Sequence, residues 1–371
     1  MTNNSLGLYL HIPFCQAKCR YCDFYSLSGS SEKKELYKNA LLKEIRKWGE
    51  NIFRPISSIY IGGGTPSALP AHFLCEILDC VKENFKVLNN AEITVEVNPQ
   101  SATESLFYEL IKAGVNRLSI GVQSGNDDEL KTLGRLHNRK TAEETFLNAR
   151  KAGFKNISLD LMLALPDSDE QTLKNTLNFF VSLSPEHISA YILKIEENTP
   201  LFKIKDSLNL PDENEISEQY LLVSRTLQNA GYEHYEISNF AKAGKASRHN
   251  VNYWKCGEYL GLGPAAHSFL EGKRFFYPAD ITKFINCPET VFDSEGGDIN
   301  EFIMLNLRLK ERLNLSELKN VYNTVPGAAF INKIKLFEKN GLCTFNNNTV
   351  SLTVKGMLVS NEIIAQLEES L

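Results

Sequence analysis

Strand-like and helix-like segments alternate six times over the first 200 residues, and this alternation restricts the fold more than any other feature. Short apolar runs predict strands, and longer runs with helical spacing of apolar residues predict the helices between them. The pattern is typical of a parallel sheet with crossover helices, that is, an α/β fold. Six units are too few for a closed eight-stranded barrel. The predicted strands are 8–12, 56–61, 92–97, 117–121, 156–163 and 187–193, and the predicted helices are 32–50, 71–85, 103–113, 141–152 and 169–183.

Three cysteines follow the first predicted strand in C-x-x-x-C-x-x-C spacing: Cys15, Cys19 and Cys22. Thiolates bind iron–sulfur clusters, and three of them leave one iron corner of a cubane cluster open to another ligand. An open iron suits radical chemistry, which proteins delegate to cofactors such as S-adenosylmethionine. A structural zinc site usually needs four ligands in two separated pairs, and no second cysteine pair follows. Zinc binding or idle thiols remain alternatives.

Other candidate ligand-binding residues follow the later strands, where the active sites of parallel α/β folds lie. Gly62-Gly63-Gly64-Thr65 comes directly after the second strand, and glycines let the backbone approach a ligand closely. An acid or amide at a strand end binds ribose hydroxyls in nucleotide folds, and an arginine pairs with a carboxylate. A tight turn and ordinary surface residues are the alternative interpretation. The candidates after later strands are Glu96, Gln123, Arg135 and Asp160.

An aromatic segment, Arg248-His249-Asn250-x-x-Tyr253-Trp254, stands outside the alternating region. Histidine and tyrosine are both iron ligands of heme, and Trp254 can stack on a flat macrocycle. The alternative is that the segment only packs under a loop. A glycine-rich stretch, residues 261–269 with His267, follows it and is interpreted mainly as structural.

The C-x-x-x-C-x-x-C motif behind Y-x-H-I-P-F resembles the radical SAM superfamily. Within it, the chain is similar to the group of oxygen-independent coproporphyrinogen III oxidase (HemN) and the heme chaperone HemW. The resemblance implies an open six-stranded (β/α)6 partial barrel, a [4Fe–4S] cluster on the three cysteines, and S-adenosylmethionine. It also links the H-N-x-x-Y-W segment to heme, with His249, Tyr253 and Trp254 as candidate binding residues, and matches His11 to the family's histidine. The residues implied to contact S-adenosylmethionine are Tyr9, Gly63, Gly64, Thr65, Glu96, Gln123, Arg135 and Asp160.

Three departures from the oxidase favour the heme chaperone side of this group. Phe24 stands where the oxidase has a fourth cysteine, only 14 residues precede Cys15, and the H-N-x-x-Y-W segment is present. We therefore expect a heme chaperone and assign no catalytic residue. The chaperone would deliver heme to acceptors such as respiratory cytochromes or enzymes. The alternatives are coproporphyrinogen III oxidase activity and a radical enzyme with an unrelated substrate. A homodimer and peripheral membrane contact are left open.

The chain of 371 residues is long enough for two or three domains. We expect a radical SAM core at 1–200, a linker and family-specific segment at 201–298, and a winged-helix-like α+β domain at 299–371. The linker prediction rests on a polar loop at 196–215, before a helix at 216–230. The net charge of −5 argues against a general nucleic-acid binder. No apolar run approaches the ~18 residues of a membrane span, and MTNNSLG has no signal-peptide features, so we expect a cytoplasmic protein.

Overall fold

A computed structural model of the chain describes residues 5–310 and 313–371. Residues 1–4, on which the signal-peptide expectation partly rests, lie outside the described residues. Strands and helices alternate as predicted, and β1 to β6 pair in parallel and in sequence order. The strands are β1 (Leu6–Ile12), β2 (Ile56–Gly63), β3 (Val87–Val97), β4 (Arg117–Gln123), β5 (Ile157–Leu163) and β6 (His187–Ile192). The helices are α1 (Ser31–Gly49), α2 (Ala71–Asn84), α3 (Glu104–Lys112), α4 (Asp127–Thr132), α5 (Arg139–Ala152) and α6 (Glu170–Leu183).

The two faces of this parallel sheet differ sharply in polarity. Because side chains alternate along a strand, every second residue faces the helices. The residues on this face are apolar and buried, as Leu8, Ile59 and Leu159 illustrate. The residues between them are mostly polar, as Ser58 and Ser158 illustrate, and face the inside of the open (β/α)6 partial barrel. The apolar face supplies the hydrophobic stabilisation, which leaves the inner face available for chemistry.

Segments after the sixth parallel strand extend this sheet at both edges. On one side β8 (Asn239–Ala241) pairs antiparallel with β6 and with β7 (Glu233–Glu236). On the other side β9 (Tyr259–Leu262) runs parallel to β1 and leads to β10 (His267–Leu270), β11 (Lys273–Phe276) and β12 (Val291–Glu295). The intervening helices are α7 (Glu213–Asn229), α8 (Arg248–Trp254) and α9 (Ile281–Asn286).

Two sequence predictions in this part of the chain need correction. The stretch 196–215 is not all loop, because residues 202–207 form a 3-10 helix and α7 begins at Glu213. Asp212 accepts hydrogen bonds from the backbone of the first turn, and the Glu215 side chain reaches back to the Asp212 backbone. This capping box explains the earlier start of the helix.

The C-terminal part is a winged-helix-like α+β unit. Its helices are α10 (Ile299–Arg308), α11 (Leu315–Tyr322), α12 (Ala328–Lys339), α13 (Val354–Leu358) and α14 (Ser360–Glu368). A small sheet joins β13 (Leu313–Asn314), β15 (Thr349–Leu352) and β14 (Cys343–Asn346). The sequence predicts one helix at 355–370, whereas the structure has two helices there, α13 and α14. Gly356 lies so close to the Leu342 carbonyl that a Cβ atom would stand 1.9 Å from it, so α13 is fixed against the hairpin.

Candidate functional site

The three motif cysteines lie on a loop that leaves the carboxyl end of β1. The base of the loop is closed by hydrogen bonds from the Cys15 N–H to the Leu27 carbonyl (3.0 Å) and from the Leu27 N–H to the Pro13 carbonyl (2.9 Å). Phe14 is fully buried and anchors this base in the core. Farther along, the Arg20 N–H donates to the Leu133 carbonyl at the end of α4 (3.0 Å). The loop is thus held at both its base and its far side.

A cavity of about 390 Å³ opens between this loop and the inner face of the sheet. It brings together residues that are far apart in the sequence, from the cysteine loop, the glycine loop after β2 and the inward faces of β3 to β6. The cavity extends below the carboxyl edge of the sheet, because Asp160 lies in the middle of β5 and not at its end. The sequence candidates that line it are Cys15, Cys19, Cys22, Gly63, Gly64, Thr65, Glu96, Gln123, Arg135 and Asp160.

The cysteine side chains face the cavity with few protein partners. Cys15 Sγ lies 3.3 Å from the Thr65 hydroxyl, and the Arg135 guanidinium donates to Cys19 Sγ (3.4 Å). Burial raises the pKa of the Cys22 thiol to about 11. Among the described residues, no three His, Cys, Asp or Glu side chains converge enough to hold a single metal ion. A cubane cluster binds its three thiolates at different corners and needs no such convergence, so the donor set fits it.

The glycine loop lies directly against the cysteine loop. Gly63 has a φ of 111°, and a Cβ there would stand 2.7 Å from the His11 ring. A Cβ on Gly64 would stand 2.8 Å from the Phe14 carbonyl oxygen and 3.1 Å from Cys15 Sγ. Only glycine permits this approach. The loop therefore forms a close backbone cradle beside the thiols.

Two carboxyl groups give the inner wall of the cavity its electrostatic character. Burial raises the pKa of Glu96 to about 7, even though the Tyr60 hydroxyl donates to Glu96 Oε1 at 2.8 Å. Burial also raises the pKa of Asp160, which accepts a hydrogen bond from the Ser119 hydroxyl (3.2 Å). Neither carboxyl forms an ion pair within 4.0 Å among the described residues. Both can accept hydrogen bonds from a ligand.

Gln123 and Arg135 reach the cavity in ways that the sequence did not indicate. Gln123 is the last residue of β4, not a residue beyond it, and it has a φ of 71°. Such a conformation is rare outside glycine and is often found at functional sites. Arg135 lies between α4 and α5, not at a strand end, and its guanidinium reaches back to the Gly121 carbonyl (2.5 Å). Cys19 and Gly121 therefore fix the orientation of Arg135.

Tyr9 does not line this cavity in the described part of the chain. Its hydroxyl pairs with His11 Nδ1 (3.0 Å), while His11 Nε2 lies 3.0 Å from the Tyr25 carbonyl oxygen. Because a carbonyl only accepts, Nε2 carries the proton and the Tyr9 hydroxyl donates to Nδ1. Burial lowers the pKa of His11. His11 is therefore a hydrogen-bonded histidine of the barrel interior.

The aromatic segment with the candidate heme residues forms α8. This helix lies at the amino ends of the barrel strands, a region that we call the floor of the barrel. His249 is 1% exposed, and its ring nitrogens pair with the Ser58 hydroxyl (2.9 Å) and the Tyr253 hydroxyl (2.7 Å). Trp254 packs under the Arg308 guanidinium, which lies 4.3 Å from the ring centroid. Although this segment follows the alternating region in the sequence, it packs against the inner face of the barrel. His249 has no ring nitrogen available to iron unless one of these hydrogen bonds breaks.

Sequence reasoning missed Tyr60, Arg117 and Asn250, which also line the cavity. Tyr60 and Arg117 could have been found from strand alternation, because they share the inward face with Ser58 and Ser119. Arg117 is 2% exposed, and its Nε has no hydrogen-bond partner among the described residues. Asn250 reaches the cavity from α8 through tertiary packing, which no local pattern reveals. The glycine-rich 261–269 stretch supports a structural interpretation, since a Cβ on Gly261 would stand 2.1 Å from the His267 carbonyl oxygen.

Comparisons with known proteins agree with this geometry. Residues 9–180 match the family model of the Radical SAM superfamily, and residues 298–359 match that of the HemN C-terminal domain. The chain is 34% identical to the heme chaperone HemW of Bacillus subtilis over 367 residues, which cover 96% of this chain and 97% of that protein. It is 38% identical to HemW of Escherichia coli over 273 residues, 72% of each protein.

A solved structure shows the same fold. Coproporphyrinogen III oxidase (HemN) from Escherichia coli matches with a TM-score of 0.84 and 22% sequence identity, covering 99% of this chain and 91% of that one. The match spans both the partial barrel and the C-terminal unit. In the described part of the chain, we find no helix with the length and apolar character that a membrane span requires.

Proposed function

The chain belongs to the HemN/HemW group of the radical SAM superfamily, and we propose that it is a heme chaperone. It would bind a [4Fe–4S] cluster, S-adenosylmethionine and heme, and deliver heme to acceptor proteins. The proposed binding of the cluster and S-adenosylmethionine rests on one cavity. Cys15, Cys19 and Cys22 line it together with the glycine loop and buried carboxyls. The delivery part rests on relatives named heme chaperone that match 96% and 72% of the chain.

In this proposal the cysteine loop holds the cluster. Cys15, Cys19 and Cys22 ligate three irons, and the bound cluster supplies an electron and an open iron site. The Thr65 hydroxyl and the Arg135 guanidinium already lie at hydrogen-bond distance from the sulfurs of Cys15 and Cys19. Hydrogen bonds to ligating sulfurs stabilise their negative charge and tune the cluster. These two residues therefore have a role towards the cluster as well as towards S-adenosylmethionine.

The remaining cavity residues would bind S-adenosylmethionine. The backbone of Gly63, Gly64 and Thr65 approaches the amino group, and Arg135 is suited to the ligand's carboxylate because a guanidinium pairs with carboxylates. The acceptors Glu96, Gln123 and Asp160 are suited to hydroxyl and ammonium groups. Tyr9 would act from behind the wall, through His11, and not by direct contact.

The heme part of the proposal has a different basis. Phe24 is 66% exposed and lines the cavity mouth at the position where the oxidase carries a further cysteine. An exposed aromatic side chain there adds apolar surface for a flat ligand, whereas a thiol would add a ligand for iron. Heme ligation by His249 or Tyr253, with Trp254 as a wall, would require the floor of the barrel to open, because these donors pair with each other.

We further propose that the protein works in the cytoplasm on heme-accepting partners. The eight cysteines are all free thiols in the structure, as is usual in a reducing compartment. Respiratory cytochromes or enzymes are the acceptors that the family resemblance implies. A homodimer would be the simplest assembly, because C2 dimers are the commonest oligomers.

The test is an anaerobic assay of the reconstituted protein with two arms. In one arm, heme-loaded protein is mixed with an apo-cytochrome, and transfer is followed by the heme absorption band. In the other arm, coproporphyrinogen III, S-adenosylmethionine and a reductant are added, and protoporphyrinogen is measured. We expect heme transfer and no turnover to protoporphyrinogen. Steady protoporphyrinogen formation without heme transfer would replace the chaperone proposal with the oxidase.

The heme absorption band of site variants identifies the residue that ligates the heme iron. The closed floor predicts that His249→Ala and Tyr253→Ala retain the wild-type heme band. If folded His249→Ala protein loses the band, the floor opens and α8 supplies the donor, as the sequence suggested.

A further inference from the structure

Helix α8 is fixed to the floor of the barrel by a buried carboxylate of β3. The backbone N–H groups of Arg248 and His249 donate to the two Glu92 oxygens, at 3.1 and 3.0 Å. Ser247 caps the helix by accepting from the Asn250 N–H. The side chain of Asn250 then lines the cavity from below. The helix is therefore part of the wall of the proposed S-adenosylmethionine cavity.

The His249 ring supports a residue that faces this cavity. It stacks on Tyr60 with ring centroids 5.3 Å apart and an interplanar angle of 29°. Its two nitrogens pair with Ser58 and Tyr253, so the ring cannot rotate without losing both contacts. Burial, and then the charge of Arg117, lower the pKa of His249 to about 3. The ring is therefore neutral and acts as a fixed platform.

Tyr60 carries this contact onward to the glycine loop. Its hydroxyl donates to Glu96 Oε1 (2.8 Å), and Glu96 Oε2 accepts from the Gly63 N–H (3.2 Å). Gly63 precedes Gly64, which lies against Cys15. An unbroken series of contacts thus joins α8 to the backbone beside the cysteine loop.

We propose that His249 is a positioning residue for S-adenosylmethionine binding, and that it acts through Tyr60 and Glu96 on the glycine loop. This inference rests on the S-adenosylmethionine site of the proposed function and deepens it. It assigns the H-N-x-x-Y-W segment to that site: Asn250 faces the cavity, and His249 and Tyr253 hold its floor in shape.

The competing explanation is that His249 only packs, and the chain contains a matched control. His234 is also buried, at 3% exposure, and its Nδ1 pairs with a serine hydroxyl, that of Ser224, at 3.0 Å. Its Nε2 lies 3.5 Å from the Tyr220 hydroxyl, and its ring stacks on Phe240 at 4.0 Å. His234 lies on β7, outside the cavity lining. Replacing it removes the same kinds of contact without touching Glu96.

The experiment measures the S-adenosylmethionine dissociation constant of cluster-loaded protein. The variants are His249→Ala, His234→Ala, Tyr60→Phe and the double variant Tyr60→Phe/His249→Ala. Tyr60→Phe removes one hydroxyl and keeps the ring, so it tests the pathway even if His249→Ala fails to fold. We expect about tenfold weaker binding for Tyr60→Phe and for His249→Ala, and a change below about twofold for His234→Ala. In the double variant the losses should not add, because both act through one hydrogen bond.

The pH dependence of S-adenosylmethionine binding supplies a second measurement, which a purely structural role of His249 would not change. Glu96 is faced by Tyr60 and the Gly63 N–H on β2, by Arg117 on β4 and by Asp160 on β5, and Tyr9 on β1 interacts with it electrostatically. The Tyr60 hydrogen bond lowers the pKa of Glu96. Loss of this hydrogen bond in Tyr60→Phe, or its weakening in His249→Ala, should raise the pKa of Glu96. The acid limb of binding, that is, the pH range in which protonation of Glu96 weakens binding, should then move to higher pH. In His234→Ala the limb should stay in place.

Two results separate the inference from the function on which it rests. If wild-type protein binds S-adenosylmethionine, and His249→Ala and Tyr60→Phe bind it with the same affinity and acid limb, the positioning role is wrong and the proposed function stands. If cluster-loaded wild-type protein does not bind S-adenosylmethionine, the proposed function fails and this inference fails with it.

Discussion

Polar residues lie at both ends of the barrel, but they face a cavity at one end and are packed inside the protein at the other. At the carboxyl end, the cysteines, Glu96 and Arg135 face a cavity of about 390 Å³. At the amino end, His249 is 1% exposed, and each of its polar ring atoms has a protein partner. Polar groups that face a cavity remain open to further hydrogen bonds even where, like Glu96, they already have protein partners, so this end is suited to a ligand. The floor is suited to holding that cavity in shape.

Two glutamates on one strand show the same contrast at short range. Glu92 and Glu96 both lie on the inner face of β3, four residues apart. Glu92 accepts backbone N–H groups from Arg248 and His249 and so serves the architecture. Glu96 accepts from Tyr60 and Gly63 but also lines the cavity. Position along the strand, and not residue type, separates the structural carboxylate from the ligand-binding one.

The largest expected effect concerns the carboxyl end. Cys15→Ala, Cys19→Ala or Cys22→Ala should abolish the cluster, which reconstituted wild-type protein should hold at about four irons and four sulfides per chain. Iron and sulfide analysis checks this. Cys75→Ala and Cys343→Ala are the controls, because these thiols lie outside the cavity lining and should leave the cluster intact. Full occupancy in Cys19→Ala would remove the distinction between the two ends.

At the amino end the expected effect is on stability. Trp254 packs against Arg308 of α10, so Trp254→Ala should lower the free energy of unfolding by about 2–3 kcal/mol, less than for a fully buried tryptophan. Urea unfolding measures this, with Phe53→Ala, an 83% exposed aromatic, as the control near zero. Cluster content should not change. A heme-specific loss without a stability loss would instead make the floor a ligand site.

A smaller effect is expected for the cavity carboxyls. Asp160→Ala and Glu96→Ala should each weaken S-adenosylmethionine binding by about 1.5–3 kcal/mol, or roughly tenfold or more, because each removes a hydrogen-bond acceptor. The cluster should be spared, since neither residue is an iron ligand. Titration of cluster-loaded protein provides the measurement, and Glu143→Ala, at an exposed position on α5, is the control. Unchanged affinity in both variants would exclude these residues from the site.

The last prediction concerns pH and Glu96 in protein without cluster or ligand. Burial raises the pKa of Glu96 from 4.5 to about 7, so the folded protein binds this proton more tightly than the unfolded chain does. The stabilisation is present below pH 4.5 and is lost as pH rises through 7. Glu96→Gln removes this dependence. Relative to that variant, wild type should therefore become less stable between pH 5 and pH 8 in urea unfolding. A constant difference would show that Glu96 is solvated like a surface carboxyl.

Sequence patterns predicted the alternating fold because the apolar face of each parallel strand is continuous, as in Leu8, Ile59 and Leu159. They also predicted most of the polar groups that line the cavity, because parallel strands bring their carboxyl ends to one edge, but Tyr9 does not line it and Asp160 lies in the middle of β5. The early start of α7 is encoded locally, because Asp212 and Glu215 form its capping box.

The position of α8 could not be predicted in the same way. Its contacts with Ser58, Tyr60 and Glu92 join residues separated by more than 150 positions. No periodicity encodes such packing, so the sequence could not show that two hydroxyl groups pair with the ring nitrogens of His249. The reach of Arg135 to Cys19 likewise depends on the fold of the loop after α4.

The most direct test of the account is electron paramagnetic resonance of the reduced, cluster-loaded protein with and without S-adenosylmethionine. Three cysteine ligands and an open iron beside the glycine loop predict a cubane signal whose g values change when S-adenosylmethionine is added. The change should need a higher concentration of S-adenosylmethionine in Asp160→Ala. It should keep its wild-type midpoint in His234→Ala. A cluster signal that is identical with and without saturating S-adenosylmethionine would contradict the claim that the carboxyl end of the barrel binds both.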